Sequence, residues 1–327
     1  MNGIGPVAFV ADGSYIVGGD GEIIRCWKVE DGLKEDGEPM YARSVVRSIA
    51  VSRGGNWIVG GTESGRVTVW DAETRKKVTE FTGHNKAVSA VDISPDGTKI
   101  ATGSDDGTAS VWSLSTGKQL LGPFKLDYSV AAVKISPDGR LIAVAKWRNK
   151  SVSIYESHNG RRLGTFPIQV SSPRNQSLAW ASDSEQLFAL SFGGVVHSLD
   201  VSTGQILSSW AIRSQDGFRC IALASSGTFI AASDESSVSF WDIGTHKQIG
   251  SLIRHPGNVW FMAISANHGL IISGGGKIVL RNLPDILPSS YLDNVGIFPS
   301  RPGPKQTYSP HTTLLAATGT RSPPHEG

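Results

Sequence analysis

The residues best spaced for chemistry in this 327-residue chain are a histidine, His84, and an acid further on, Asp106, with Thr102 and Trp112 close by in sequence. An imidazole beside a carboxylate can work as an acid–base dyad or can be held as a buried hydrogen-bonded pair. Gly274-Gly275-Gly276-Lys277 has the composition of a phosphate cradle. It lies between two predicted strands with no helix to follow, so a tight glycine turn accounts for it. The chain has no Gly-x-Ser-x-Gly elbow, no His-Glu-x-x-His pair and no Gly-x(4)-Gly-Lys-Ser/Thr loop. Its eight histidines are scattered, with no pair at metal-ligand spacing. Cys26 and Cys220 stand in apolar, strand-like contexts and supply neither a disulfide framework nor a zinc site, so they read as small buried thiols. No cofactor or metal is expected. Catalysis would require a site assembled across distant parts of the chain.

Composition narrows the classes further. The formal net charge is +2, too even for the basic stripe that nucleic-acid binding uses to release counterions. The N-terminal MNGIGPVAFVADG lacks the charged and apolar regions of a secretory signal, and no stretch approaches the ~18 apolar residues of a membrane span. These features predict a cytoplasmic or nuclear protein that binds neither nucleic acid nor membrane. Gly at 38 and Trp at 9 are high while Met is only 3, a balance that favours short strands joined by tight turns.

The elements that must position His84 and Asp106 recur along the chain. VDISPDGTKIATGSDDGTASVWSLSTGK (91–118) and VKISPDGRLIAVAKWRNKSVSIYESHNGR (133–161) are two copies of one unit, and IAVSRGGNWIVGGTESGRVTVWDAETRK (49–76) is an earlier one. The apolar residue before each Ser-Pro-Asp-Gly-like turn falls at Phe9, Val51, Ile93, Ile135, Trp180, Leu223 and Ile264. The residue ending each third strand falls at Trp27, Trp70, Trp112, Tyr155, Leu199, Trp241 and Arg281. Two markers on one period give seven units. Each unit holds four short runs separated by turns, the pattern of antiparallel strands.

At Gly83-His84, Asp106 and Trp112 the chain resembles the WD-repeat propeller family, over about residues 4–283. The resemblance implies an all-β, seven-bladed β-propeller of four-stranded antiparallel blades. It also implies that His84, Thr102, Asp106 and Trp112 form a structural hydrogen-bond relay that fixes the third blade. Other repeats depart from that pattern, with Tyr155, Leu199 and Arg281 in the Trp slot, and their blades must rely on apolar packing. Gly160-Arg161-Arg162-Leu163 does not match the Phe-Arg-Arg-Gly of phosphoinositide-binding propellers.

The domain reading is a propeller over residues 1–298 and a Pro/Ser/Thr-rich, disordered tail over 299–327. Half of the 16 prolines lie in residues 284–327, where no periodicity survives. Pro299-Ser300-Arg301-Pro302, Ser309-Pro310 and Ser322-Pro323 are minimal ligand and modification patterns within it. Too few residues precede the first strand to complete the last blade. That blade is therefore incomplete, with an exposed edge, or takes its outer strand from elsewhere, with Tyr291 to Phe298 the candidate.

The resemblance implies a non-catalytic scaffold that binds a peptide or protein partner on the loop face. That face is built from the loops leading into each first strand and the turns between second and third strands. Mapping the sequence onto it singles out Arg47, Trp147, Arg148, Phe192, Arg219 and Trp260. Trp147 lies in a turn two residues longer than its counterparts and has no framework slot to fill, which makes it a candidate exposed anchor. The alternatives are a propeller enzyme with a cross-blade site and a truncated fragment of a larger WD-repeat signalling protein.

Overall fold

The computed structural model describes residues 4–10, 13–31, 33–147, 151–170, 177–212, 220–224, 226–265, 269–275, 277–292 and 312–314. Seven antiparallel sheets follow one another along the chain. The first strand of each packs beside the first strands of its two neighbours, and Ile4–Phe9 meets Phe261–Ile264 to close a ring. The architecture is a seven-bladed β-propeller.

Blade 3 shows the plan: Val88–Ile93, Lys99–Ser104, Thr108–Ser113 and Gln119–Lys125, paired in that order. Its three inner strands are buried on both faces because neighbouring blades cover them, so they read as apolar or small runs without strict alternation. The outer strand lies mostly exposed at the rim. Blade-to-blade packing is reinforced by aromatic stacks. Trp112 lies 4.9 Å from Phe81 of blade 2, Tyr155 of blade 4 stacks on Phe124 of blade 3 at 4.6 Å, and His246 of blade 6 stacks on Trp210 of blade 5 at 4.3 Å. Tyr155 thus does in blade 4 what Trp112 does in blade 3. The seam between blades 7 and 1 is an apolar cluster in which Val7, Ile16 and Trp27 meet Phe261, Leu270 and Ile272.

Two blades depart from the plan. In blade 1 the third strand, Ile23–Lys28, pairs with two short pieces, Lys34–Glu35 and Met40–Tyr41, that share the outer position. In blade 7 the outer strand is Thr312–Leu314, paired with Ile278–Asn282, so the blade has four strands. The expectation that Tyr291 to Phe298 fills this place is corrected. Leu283–Asp285 and Ser289–Tyr291 are 3₁₀ turns. Pro284 and Pro288 cannot donate to a ladder but suit the start of such a turn. Residues 293–298, and the rest of the tail apart from Thr312–Leu314, lie outside the described residues.

Candidate functional site

The His84 group is brought together as one buried chain of hydrogen bonds in blade 3. Trp112 Nε1–H donates to Thr102 Oγ1 at 2.8 Å, and Thr102 Oγ1 lies 2.7 Å from His84 Nε2. His84 Nδ1 lies 3.1 Å from Asp106 Oδ2. Asp106 in turn accepts from the Asn85 N–H at 3.0 Å and from the Thr108 hydroxyl at 2.6 Å. The arrangement fits a neutral imidazole with its proton on Nδ1. Burial holds His84 below its ordinary value, against the pull of Asp106. Burial pushes the Asp106 carboxyl up, but the donors from Thr108, Asn85 and His84 outweigh it and leave the acid below its usual range. Every polar atom of the chain faces another protein atom, so its geometry joins a loop, a turn and two strands of one blade.

On the loop face one backbone hydrogen bond recurs from blade to blade. The N–H of Glu63, Asp105, Trp147 and Phe192 donates to the carbonyl of Val45, Ala87, Ser129 and Gln169, respectively, in the segment before the first strand. These four are equivalent positions, and this corrects the reading of Trp147. The second strand of blade 4 runs to Lys146, paired with Val130 as Ser104 is with Val88, so Trp147 occupies the place of Asp105. Against blade 3 the registers leave one added residue, which falls after it. Trp147 does fill a framework slot, and its half-buried ring packs against the apolar cluster of blades 4 and 5. Trp260 is also half-buried and packs on the seam of blades 7 and 1. Arg47 and Phe192 are exposed, Phe192 by 63%. Arg148 and Arg219 lie outside the described residues. Asp105, raised chiefly by burial, feels the positive charges of Arg47 and Lys86. The face thus carries acids in blades 2 and 3 and aromatic rings in blades 4 and 5.

The central channel, about 380 Å³, is walled by first strands. Its charged wall groups are Asp92 and Lys134, 3.8 Å apart, and Asp92 also accepts the Ile135 N–H at 2.7 Å. Among the described residues no cluster of three or more His, Cys, Asp or Glu could hold a metal ion, and no helix is long and apolar enough to cross a membrane. Cys26 and Cys220 are buried and unpaired, and burial pushes their thiols up to about 11 and about 12. Gly275 abuts the Asn258 carbonyl so closely that a Cβ there would sit 1.9 Å from the oxygen, which explains the glycine without a phosphate.

One feature was missed from the sequence. A cavity of about 800 Å³ opens between blades 1 and 2 on the face opposite the loops. The sign in the sequence is a pair of small residues, Cys26 and Ala72, facing one cleft, at repeat positions where most other blades carry larger ones, Ser198 of blade 5 and Ser157 of blade 4 apart.

Two stretches, residues 40–71 and 75–113, match the family described as WD domain, G-beta repeat. No curated protein matches the chain. Propellers of this kind are typically interaction scaffolds, commonly bind proteins and are generally non-enzymatic. With matched repeats in two successive blades, the relay of His84, Thr102, Asp106 and Trp112 in the second of them, and seven blades on one period, the chain is a seven-bladed β-propeller that carries WD repeats.

Proposed function

We propose that this propeller is a non-catalytic scaffold that binds a peptide or protein partner on its loop face, with Phe192 as the apolar anchor and Arg47 as a polar contact. The observation that carries the reading is Phe192 itself. Its ring is 63% exposed at a turn position where the equivalent residues of blades 2 and 3 are acids, while its backbone is tied down to Gln169. A large ring held out on a fixed backbone gives up little entropy when a partner covers it. Further support comes from the channel, where the one carboxylate and one ammonium of the wall face each other. The two unpaired buried thiols accord with a reducing compartment, cytoplasm or nucleus.

The test is affinity capture from cell extract with mass-spectrometric identification, comparing wild type with a Phe192→Ala/Arg47→Ala variant. We expect one set of proteins to be retained by wild type and reduced about tenfold or more by the variant, with unchanged melting. Equal recovery by both proteins would remove the loop-face assignment.

A further inference from the structure

The propeller contains two equivalent clefts on the face opposite the loops, and one of them is already occupied by a peptide. Between blades 6 and 7, the chain that follows Ile278–Asn282 lays Leu283 and Leu287 into an apolar cluster with Ala224, Phe229, Phe240 and Ile249 of blade 6 and Ile271 of blade 7. Tyr291 adds its ring beside Phe229 at 6.3 Å. Leucines four apart, with a tyrosine four further on, make one face of this short segment.

The strand pairings place the same walls between blades 1 and 2. Phe229 pairs with Asp242 as Tyr15 pairs with Lys28, and Phe240 pairs with Ile249 where, in blade 1, the Asp36 N–H donates to the Cys26 carbonyl. Leu270 pairs with Asn282 as Trp57 pairs with Asp71, so Leu283 corresponds to Ala72. The same backbone hydrogen bond, Leu283 N–H to Gly269 and Ala72 N–H to Asn56, marks the equivalence. Cys26 stands where blade 6 has Phe240, and Ala72 stands where blade 7 has Leu283. Those two losses of side-chain volume widen a cavity of about 800 Å³, walled by the apolar Val10, Cys26, Val51 and Ile58, by Tyr15, and by the polar Ser14, Ser52, Arg53, Asn56 and Glu73. That size is within the range of sites that enclose ligands. Arg75, ion-paired to Asp36 at 2.6 Å, ties the outer part of blade 1 to the third-to-fourth-strand turn of blade 2 and fixes one end of the opening.

We propose that the cleft between blades 1 and 2 is a second docking site, separate from the loop face, and that its occupant is a short linear segment of a partner protein. That segment carries two aliphatic side chains four residues apart, the chemistry with which Leu283 and Leu287 fill the matching cleft. The first aliphatic side chain takes the volume that Ala72 leaves open, and the second lies over Cys26. Tyr15 and the Arg75–Asp36 pair offer polar groups at the rim.

The probe is a fluorescein-labelled synthetic peptide of residues 282–292, NLPDILPSSYL, titrated with the full-length protein by fluorescence polarisation. Saturable binding is expected, weakened about tenfold or more by Ala72→Leu, which supplies from blade 2 the side chain that blade 7 supplies with Leu283. A peptide with alanine at both leucine positions is expected not to bind. Circular dichroism and melting of Ala72→Leu, expected to match or exceed wild type because a void is filled, show that the loss is not unfolding. Absence of saturable binding to wild type, or binding that Ala72→Leu leaves unchanged, would overturn the proposal. The Phe192→Ala/Arg47→Ala variant is expected to bind the peptide like wild type, so failure of one site is distinguishable from failure of the other.

Discussion

Thr102 serves two rings with one hydroxyl, accepting from Trp112 and facing His84 Nε2. Thr102→Val keeps the shape and removes both bonds, leaving two buried nitrogens without partners. Each orphaned group costs about 1–3 kcal/mol, so a loss of that order or somewhat more is expected in urea unfolding. The same chain of bonds makes stability depend on pH. His84 is held below its ordinary 6.5 in the folded state, so the unfolded chain takes the proton more readily. Its contribution is complete above the unfolded value and is lost as pH falls through the folded one. His197 and His255 are shifted the same way by burial, so the test is a difference. Between about pH 7.5 and about pH 5.5 the urea midpoint of wild type should fall further than that of His84→Gln. An equal fall in both would mean that His84 does not titrate out of a depressed state. The relay was legible in the sequence because the third repeat carries all four residues of the pattern by which the chain resembles WD-repeat propellers.

Turns are where the elements were harder to read. The extra length of the blade 4 turn was visible, but the sequence does not say on which side of Trp147 the added length falls. Only the pairing of Lys146 with Val130 decides that Trp147 replaces an acid and turns its ring onto the blade core. Among the aromatic residues that the sequence assigned to this face, the exposed one is Phe192, in a turn of ordinary length, and no local pattern distinguishes it from a packed one. The cavity between blades 1 and 2 escaped for a related reason, since an absence of side-chain volume leaves no motif. A turn that is fully determined behaves differently. Gly65 has φ +81°, and a Cβ there would lie 2.1 Å from the His84 carbonyl oxygen. Gly65→Ala therefore adds a backbone penalty of about 1–2 kcal/mol to a contact that cannot relax without moving the segment bearing His84. We expect a drop of more than about 2 kcal/mol in unfolding free energy.

For the whole molecule, the number of blades followed from period alone, because two markers with different physical origins, a turn and a bulky strand end, repeat together. How the ring is completed did not. The outer strand of the last blade comes from Thr312–Leu314, beyond two proline-led 3₁₀ turns, and a three-residue strand in a stretch without periodicity carries no sign of itself. Closure rests instead on the apolar seam. Phe261 is 1% exposed there, against Val7, Ile16 and Trp27 of the first blade. Phe261→Ala should cost about 3–5 kcal/mol. Hydrogen exchange should rise first in Ile4–Phe9 and Phe261–Ile264, whereas Leu120→Ala on the exposed rim should change stability by no more than about 0.5 kcal/mol. Uniform acceleration across all blades would show that the ring does not open at the seam.

The aromatic stacks all point the same way along the chain. Trp112 leans on Phe81, Tyr155 on Phe124 and His246 on Trp210, each ring meeting an outer strand that precedes it in sequence. A polypeptide leaves the ribosome from its N-terminus, and its early parts fold while later ones are still being made. In blades 3, 4 and 6, a newly emerged blade therefore finds its docking surface already built and can settle without waiting for sequence still to come. The joint between the first and last blades is the exception. Until translation reaches Phe261, the growing arc leaves the apolar side of blade 1 uncovered, and that surface is the last to gain its partner.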